Sequence, residues 1–232
     1  MITKRLSLVA TALMLTTGPA SAAMVTLDDW GFNIEGTTYC AFGPCDFNTF
    51  DTLDTSILPP QVDTSGFMLD SGLGTISVGF STAGSHDFVG FLDHSIGDNS
   101  FFNEIGMASG APEVGQTWEI DEPGFVFGDI FTHFLIGPGA LDNSVGAAFP
   151  DDVSMALGWS FVLEAGESAT IDLFVSDVMP DGDFLLLSQI DDETGESIHY
   201  WGDLNITTVP EPGTLALLGL GLLGFSIRRR RS

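Results

Sequence analysis

Positive charge is almost missing. The 232 residues hold 6 Lys and Arg against 32 Asp and Glu, a formal net charge of -26. All the bases sit at the extremes, as Lys4, Arg5, Arg228, Arg229, Arg230 and Arg231, so residues 24–210 contain no Lys or Arg, while every acid except Glu211 lies within that stretch. Such a body cannot neutralise phosphates, which excludes nucleic-acid binding and unaided docking to anionic lipid. Internal ion pairs are open only to a protonated histidine, and there are 4 His. Cysteine is scarce too: 2 residues rule out a multi-bridge disulfide scaffold. The body also lacks an H-E-x-x-H helix and a G-x-S-x-G elbow. Without Lys or Arg, oxyanion or phosphate stabilisation would fall to backbone N–H groups or a metal, so the expectation is a protein that is not an enzyme.

What is present argues for a folded body. High net charge suggests disorder only where apolar residues are few, and here 44% of residues are hydrophobic, with 19 Phe and 4 Trp. Apolar residues alternate along short runs separated by Gly, Asp and Pro, which reads as β-strands. Strands are expected over residues 25–34, 74–80, 86–93, 116–120, 125–136, 153–163, 168–176, 183–190 and 197–205. Residues 153–163 are the clearest: Val153, Met155, Leu157, Trp159, Phe161 and Leu163 share one face, while Ser154, Ala156, Gly158 and Ser160 share the other and are small enough to lie under a covering segment. The Glu164–Glu167 turn followed by in-phase Ile171, Leu173 and Val175 suggests a hairpin. No helix is expected in the body. Eight to ten strands in this length imply an all-β fold, a two-sheet antiparallel β-sandwich of jelly-roll type.

The two ends read as addresses. A basic start, an apolar stretch and Pro19 ahead of Ala20-Ser-Ala22-Ala23 have the parts of a secretory signal peptide cleaved after Ala22 or Ala23. At the far end, Val209-Pro210-Glu211-Pro212 precedes an uncharged Gly/Leu-rich run and then Arg228, Arg229, Arg230 and Arg231. The run covers only about 22 Å as a helix, short of the roughly 30 Å hydrocarbon core, so it spans with thinning or snorkelling. The arginine cluster keeps its own end cytoplasmic and leaves the body outside. These three parts, in this order, resemble the PEP-CTERM sorting signal of Gram-negative bacteria. The resemblance covers about the last 24 residues of the chain. It implies that Pro210, Glu211 and Pro212 are read by the membrane protease-transpeptidase exosortase, that the short helix holds the chain in the membrane, and that the four arginines stop transfer. The domain plan is then a signal peptide over 1–23, a β-sandwich passenger over 24–208 and the sorting signal over 209–232. Expected partners are the general secretion machinery, exosortase, the inner membrane transiently, and exopolysaccharide. The expected destination is the cell surface or beyond, by way of a membrane-anchored stage.

Within the body, Cys40 and Cys45 should form a local disulfide, since an exported chain meets an oxidising compartment. Asp177, Asp181, Asp183, Asp191, Asp192, Glu193 and Glu196 crowd one stretch, and Asp93, Asp98, Asn99 and Glu104 another. Hard oxygen ligands of this kind suit Ca²⁺, with Asp181, Asp183, Asp191, Asp192 and Glu193 as the weak candidates against a default of no metal and no cofactor. An EF-hand is excluded, because a loop starting at Asp191 places Gly202 where its closing Glu is needed. His86 and His94 are too far apart along a strand to share an ion, and His133 and His199 stand alone in sequence. Trp30, Trp118, Trp159 and Trp201, with Tyr200, are candidates for a sugar-stacking platform, although Trp159 is in phase with a core face. The functional expectation is an exported, surface-sorted, non-catalytic protein of the extracellular matrix or exopolysaccharide layer. The alternatives are a Ca²⁺-dependent carbohydrate-binding module and a secreted glycosidase.

Overall fold

The computed structural model describes residues 24–41, 45, 55–97, 102–124, 127–146 and 150–208. The expectations for Ala20, Ala22, Ala23, Val209, Pro210, Glu211, Pro212, Arg228, Arg229, Arg230 and Arg231 lie outside the described residues, as do Asp98 and Asn99. Among the described residues no helix is long and apolar enough to cross a membrane.

The described chain runs through β1 (Val25–Ile34), β2 (Thr37–Cys40), β3 (Val62–Met68), β4 (Leu73–Phe80), β5 (Gly84–Ile96), β6 (Glu104–Ser109), β7 (Gln116–Asp121), α1 (Ile130–Ile136), β8 (Ser154–Leu163), β9 (Glu167–Ser176), β10 (Leu186–Asp191) and β11 (Ser197–Thr208). Two antiparallel sheets result, one of five strands in the order β2-β1-β5-β8-β7 and one of six in the order β3-β4-β9-β11-β10-β6. The chain crosses from sheet to sheet repeatedly, and the main core fills the space between them. Trp30, Phe32, Phe88, Leu92, Leu157 and Trp159 enter it from the five-stranded sheet, meeting Ile76, Val78, Ile171, Leu173, Leu187 and Tyr200 from the other. Each such side chain, once out of water, contributes about 1.5–3 kcal/mol, which is what draws the alternating runs together. Tyr200 donates its hydroxyl to the Gly90 carbonyl at 3.2 Å, so its polar end is satisfied inside that core.

Two expectations are corrected. The segment 153–176 is not a hairpin within one sheet: β8 pairs with β5 and β7, whereas β9 pairs with β4 and β11. The turn at Glu164–Glu167 is real, its backbone N–H of Glu167 donating to the Glu164 carbonyl at 3.1 Å, but it is a corner between sheets. Both arrangements bury the same alternate residues, so the period alone does not separate them. The second correction is a helix where a strand was expected over 125–136. Ile130, Phe131 and Phe134 are buried while Leu135 and Ile136 are exposed, a spacing of three and four that fits a helical face and not a strand. Gly137 and Pro138 end it.

That helix covers the outer face of the five-stranded sheet and makes a second, smaller core with Phe91, Ala156, Leu141 and Cys40. It and the turn that follows lie close because glycines bare the sheet beneath them at two points. A Cβ on Gly31 would sit 2.6 Å from the Phe134 ring, and one on Gly158 would sit 2.9 Å from the Pro138 side chain. The small outer face foreseen for β8 is therefore the seat of α1 and the 3₁₀ turn Pro138–Ala140. Asn33 closes the helix by donating from Nδ2 to the Phe134 and Leu135 carbonyls at 2.9 and 3.1 Å, two acceptors a helix end leaves unpaired. Cys40 and Cys45 are joined by a disulfide at the edge of this covered region.

Candidate metal centre on the outer face of the five-stranded sheet

The outer face of the five-stranded sheet is ordered in rows set by strand register. Under α1 runs the row Gly31–Phe91–Ala156–Glu119, contributed by β1, β5, β8 and β7. Its last member is an acid, and α1 delivers His133 to it. His133 Nδ1 lies 2.9 and 3.1 Å from the two carboxylate oxygens of Glu119, and the backbone N–H of Asp142 donates to Glu119 Oε2 at 3.1 Å. Asp129, four residues before His133, brings its carboxylate to 3.6 Å from the same nitrogen. Asp129 occupies the N-cap position of α1 yet makes no side-chain cap, so its carboxylate is turned to the imidazole instead. Glu119, Asp129, His133 and Asp142 each offer a ligand atom, and these atoms all lie within 4.8 Å of one another.

The charges in this group are mutually adjusted. Burial pushes the Glu119 carboxyl up, against the hydrogen bonds from His133 and the Asp142 amide that pull it down. Burial disfavours the His133 imidazolium, but the Glu119 hydrogen bond and the carboxylates of Glu119, Asp129 and Asp142 outweigh it and raise its pKa. Glu119 is buried, His133 half-buried, and Asp129 and Asp142 are exposed, so the group opens to solvent on one side.

The next row, Asp29–Asp93–Ser154–Asp121, is built differently. Carboxylates face one another across neighbouring strands with no histidine partner among the described residues, an arrangement that costs energy when they are charged. Ser154 Oγ donates to Asp93 Oδ1 at 2.9 Å and the Trp30 N–H to Asp29 Oδ1 at 2.7 Å. Burial pushes Asp29 up to about 7, with Asp28 adding repulsion. Asp152 also rises to about 7, by burial and then the charges of Asp28, Asp151 and Glu122. Asp93 is raised well above the ordinary range, by burial first and then by Asp152.

Other sequence candidates are dispersed. Asp191 uses Oδ1 to accept from the backbone N–H groups of Glu193 and Thr194 at 2.8 and 2.7 Å, which makes it a turn-former after β10. Asp181, Asp183, Asp192 and Glu193 are exposed, and the metal-ligand grouping among the described residues lies elsewhere, at Glu119 and its neighbours. Asp93 and Glu104 are not brought together: Asp93 faces outward, whereas Glu104, on β6, accepts from the Ile96 and Val153 N–H groups of the opposite sheet, each at 3.2 Å. Burial raises Glu104 to about 8. His86 is held by Glu35 and the Thr82 carbonyl at 2.5 and 2.7 Å, and His199 by the hydroxyls of Ser188 and Ser197 at 2.9 and 3.2 Å. The tryptophans do not form a shared platform, since Trp30, Trp159 and Tyr200 are core residues. Trp201 instead stacks between Phe174 and Phe184, with ring centroids 5.3 and 5.7 Å away and planes within 18° and 14°.

Sequence reading missed the group around His133 for a definite reason. Glu119 and Asp142 are remote from it along the chain, and only Asp129, at the i,i+4 spacing of a helix, carried a local signal. Reading 125–136 as a strand erased that signal.

Comparison with known families finds the PEP-CTERM protein-sorting motif at residues 208–231. No curated protein and no solved structure matches the chain.

Proposed function

We propose that a chain bearing this sorting motif is an exported, surface-sorted, non-catalytic protein of the extracellular matrix or exopolysaccharide layer, with the β-sandwich as its passenger. The motif marks the tail for exosortase processing, with membrane anchoring first and surface localisation after. One observation carries the reading: the motif at residues 208–231 follows directly on β11, the last strand of the described sandwich. β11 ends at Thr208, and its pairing with β9 runs to the last residue, Thr208 opposite Glu167. A cut near Pro210-Glu211-Pro212 therefore leaves in place every strand and sheet hydrogen bond among the described residues. The acidic body then stays soluble through its own net charge and can be bridged to acidic polymers by divalent cations. The test is to delete residues 209–232 in the native host and follow the protein. Loss from the surface fraction is expected, and mass spectrometry of the wild-type surface protein should show a chain ending near the Pro-Glu-Pro element. An intact tail through Ser232 on the surface protein overturns the processing.

A second reading, a carbohydrate-binding module, is favoured by the half-buried Phe174–Trp201–Phe184 stack on the outer face of the six-stranded sheet, which among the described residues no helix covers. Aligned rings of this kind present apolar area to the C–H face of a sugar. Calorimetry with host polysaccharide, with and without Ca²⁺, separates the readings: heat that disappears in Trp201→Ala supports binding, and no heat in either titration removes it.

A further inference from the structure

We propose that Glu119, Asp129, His133 and Asp142 form a binding site for one Zn²⁺ ion. The site goes beyond sorting and beyond the acid-rich segment around Asp191, and it stands on geometry. Four ligand atoms from three places in the chain, β7, the start of α1 and the loop after Pro138–Ala140, converge within 4.8 Å of one another. A tetrahedral zinc ion with ligands at 2.0–2.1 Å has ligand–ligand edges of about 3.4 Å. The separations from His133 Nδ1 to Glu119 and Asp129, 2.9 to 3.6 Å, bracket that edge.

The donor set selects the metal. An imidazole nitrogen among carboxylates suits zinc and its transition-metal neighbours, whereas Ca²⁺ takes oxygen ligands in larger number. The balance of charge favours a dication. Three carboxylates meet one imidazole, and residues 24–210 offer no Lys or Arg to relieve the excess. A divalent ion held among them cancels two of the three negative charges. Asp129 is positioned for this by leaving the N-cap of α1 unfilled. Asp142 is held in place by its own N–H, which donates to Glu119. The ion enters from the solvent side, past the exposed Asp129 and Asp142, and Glu119 closes the inner side.

The full chain, purified in detergent and stripped with a chelator, is titrated with ZnCl₂ and separately with CaCl₂. One zinc per chain is expected, and Co²⁺ in its place should give the strong visible absorption of a tetrahedral site. His133→Gln should weaken zinc at least about 100-fold and abolish that absorption, and the exposed-site variants Asp129→Asn and Asp142→Asn should each weaken it about 10-fold or more. Asp181→Asn and Asp191→Asn should leave the affinity unchanged. The Asp129→Asn and Asp142→Asn arms guard against misfolding, because both residues are exposed and unneeded by the core. Wild-type chain that takes up no zinc, variants that bind it as tightly as wild type, or a site that accepts Ca²⁺ and refuses Zn²⁺ would overturn the proposal.

Discussion

Two groups of carboxylates lie in adjacent rows on one face of one sheet, and they manage their charge by different means. Around Glu119, the covering helix supplies an imidazole, and the negative charge is shared with His133. Around Asp93, no cationic partner is found among the described residues, and burial with neighbouring carboxylates pushes the pKa of Asp29, Asp93 and Asp152 up. The helix decides the difference. It covers the row that ends at Glu119, and it is kept there by Phe131 and Phe134 packing on Phe91 and the bare Gly31. In a chain whose body has no Lys or Arg, the placement of one histidine separates a group that can take an ion from a group whose carboxyl pKa values are pushed up.

The comparison breaks most forcefully by removing the helix's anchor. Phe134→Ala leaves a void between α1 and the sheet and should cost about 3–5 kcal/mol in chemical denaturation. It should loosen the His133 group while leaving the protonation of the Asp93 row in place. A cost below about 1 kcal/mol would show that α1 is not held as described.

Acidity sharpens it next. Carboxyls with folded pKa values raised to about 7 and 8, as at Asp29, Asp152 and Glu104, bind protons more tightly in the folded than in the unfolded chain. Their contribution is fully present below the unfolded values near 4 and is lost as pH rises through 7 to 8. The melting temperature should therefore climb as pH falls from 8.5 to 6.5. Below about 6.5 the gain flattens, because the unfolded chain takes up a proton at His94 near its ordinary value of 6.5 while burial holds the folded pKa at about 4, which favours unfolding as pH falls between the two. A melting temperature that falls between pH 8.5 and 6.5 contradicts the protonated row.

The smallest effect isolates one member. Asp93→Asn keeps an oxygen for the Ser154 hydroxyl and removes a buried titratable carboxyl from the row, so at pH 8 it should stabilise by about 1 kcal/mol and reduce the pH slope. Destabilisation at pH 8 would mean that the charged form of Asp93 is wanted, for instance by a cation.

Much of the fold was open to sequence reading, and the failures are instructive. Strand β1 falls on the expected residues, and β4, β5, β7 and β11 lie where alternation placed them, with ends displaced by a few residues. Short strands β2, β3 and β6 escaped, because Thr37–Cys40 and Val62–Met68 carry little buried apolar pattern and Glu104–Ser109 buries an acid and a glycine. The helix escaped because Ile, Phe and Leu in a row favour a strand by propensity, and only packing on Phe91 shows which face is buried. The site was less legible than the fold: of its four ligands, sequence noted His133 alone, and noted it as isolated.

By itself the amino-acid order determined an acidic all-β body with a short disulfide loop, ending in a sorting motif, since composition, alternation and a contiguous tail are local properties. Tertiary structure alone decided that β8 and β9 part company into different sheets and that Glu119 and Asp142 meet Asp129 and His133. A period of two says which residues turn inward, but not which sheet they belong to. Residues far apart along the chain come within ligand distance only when packing has chosen among the folds that bury the same side chains.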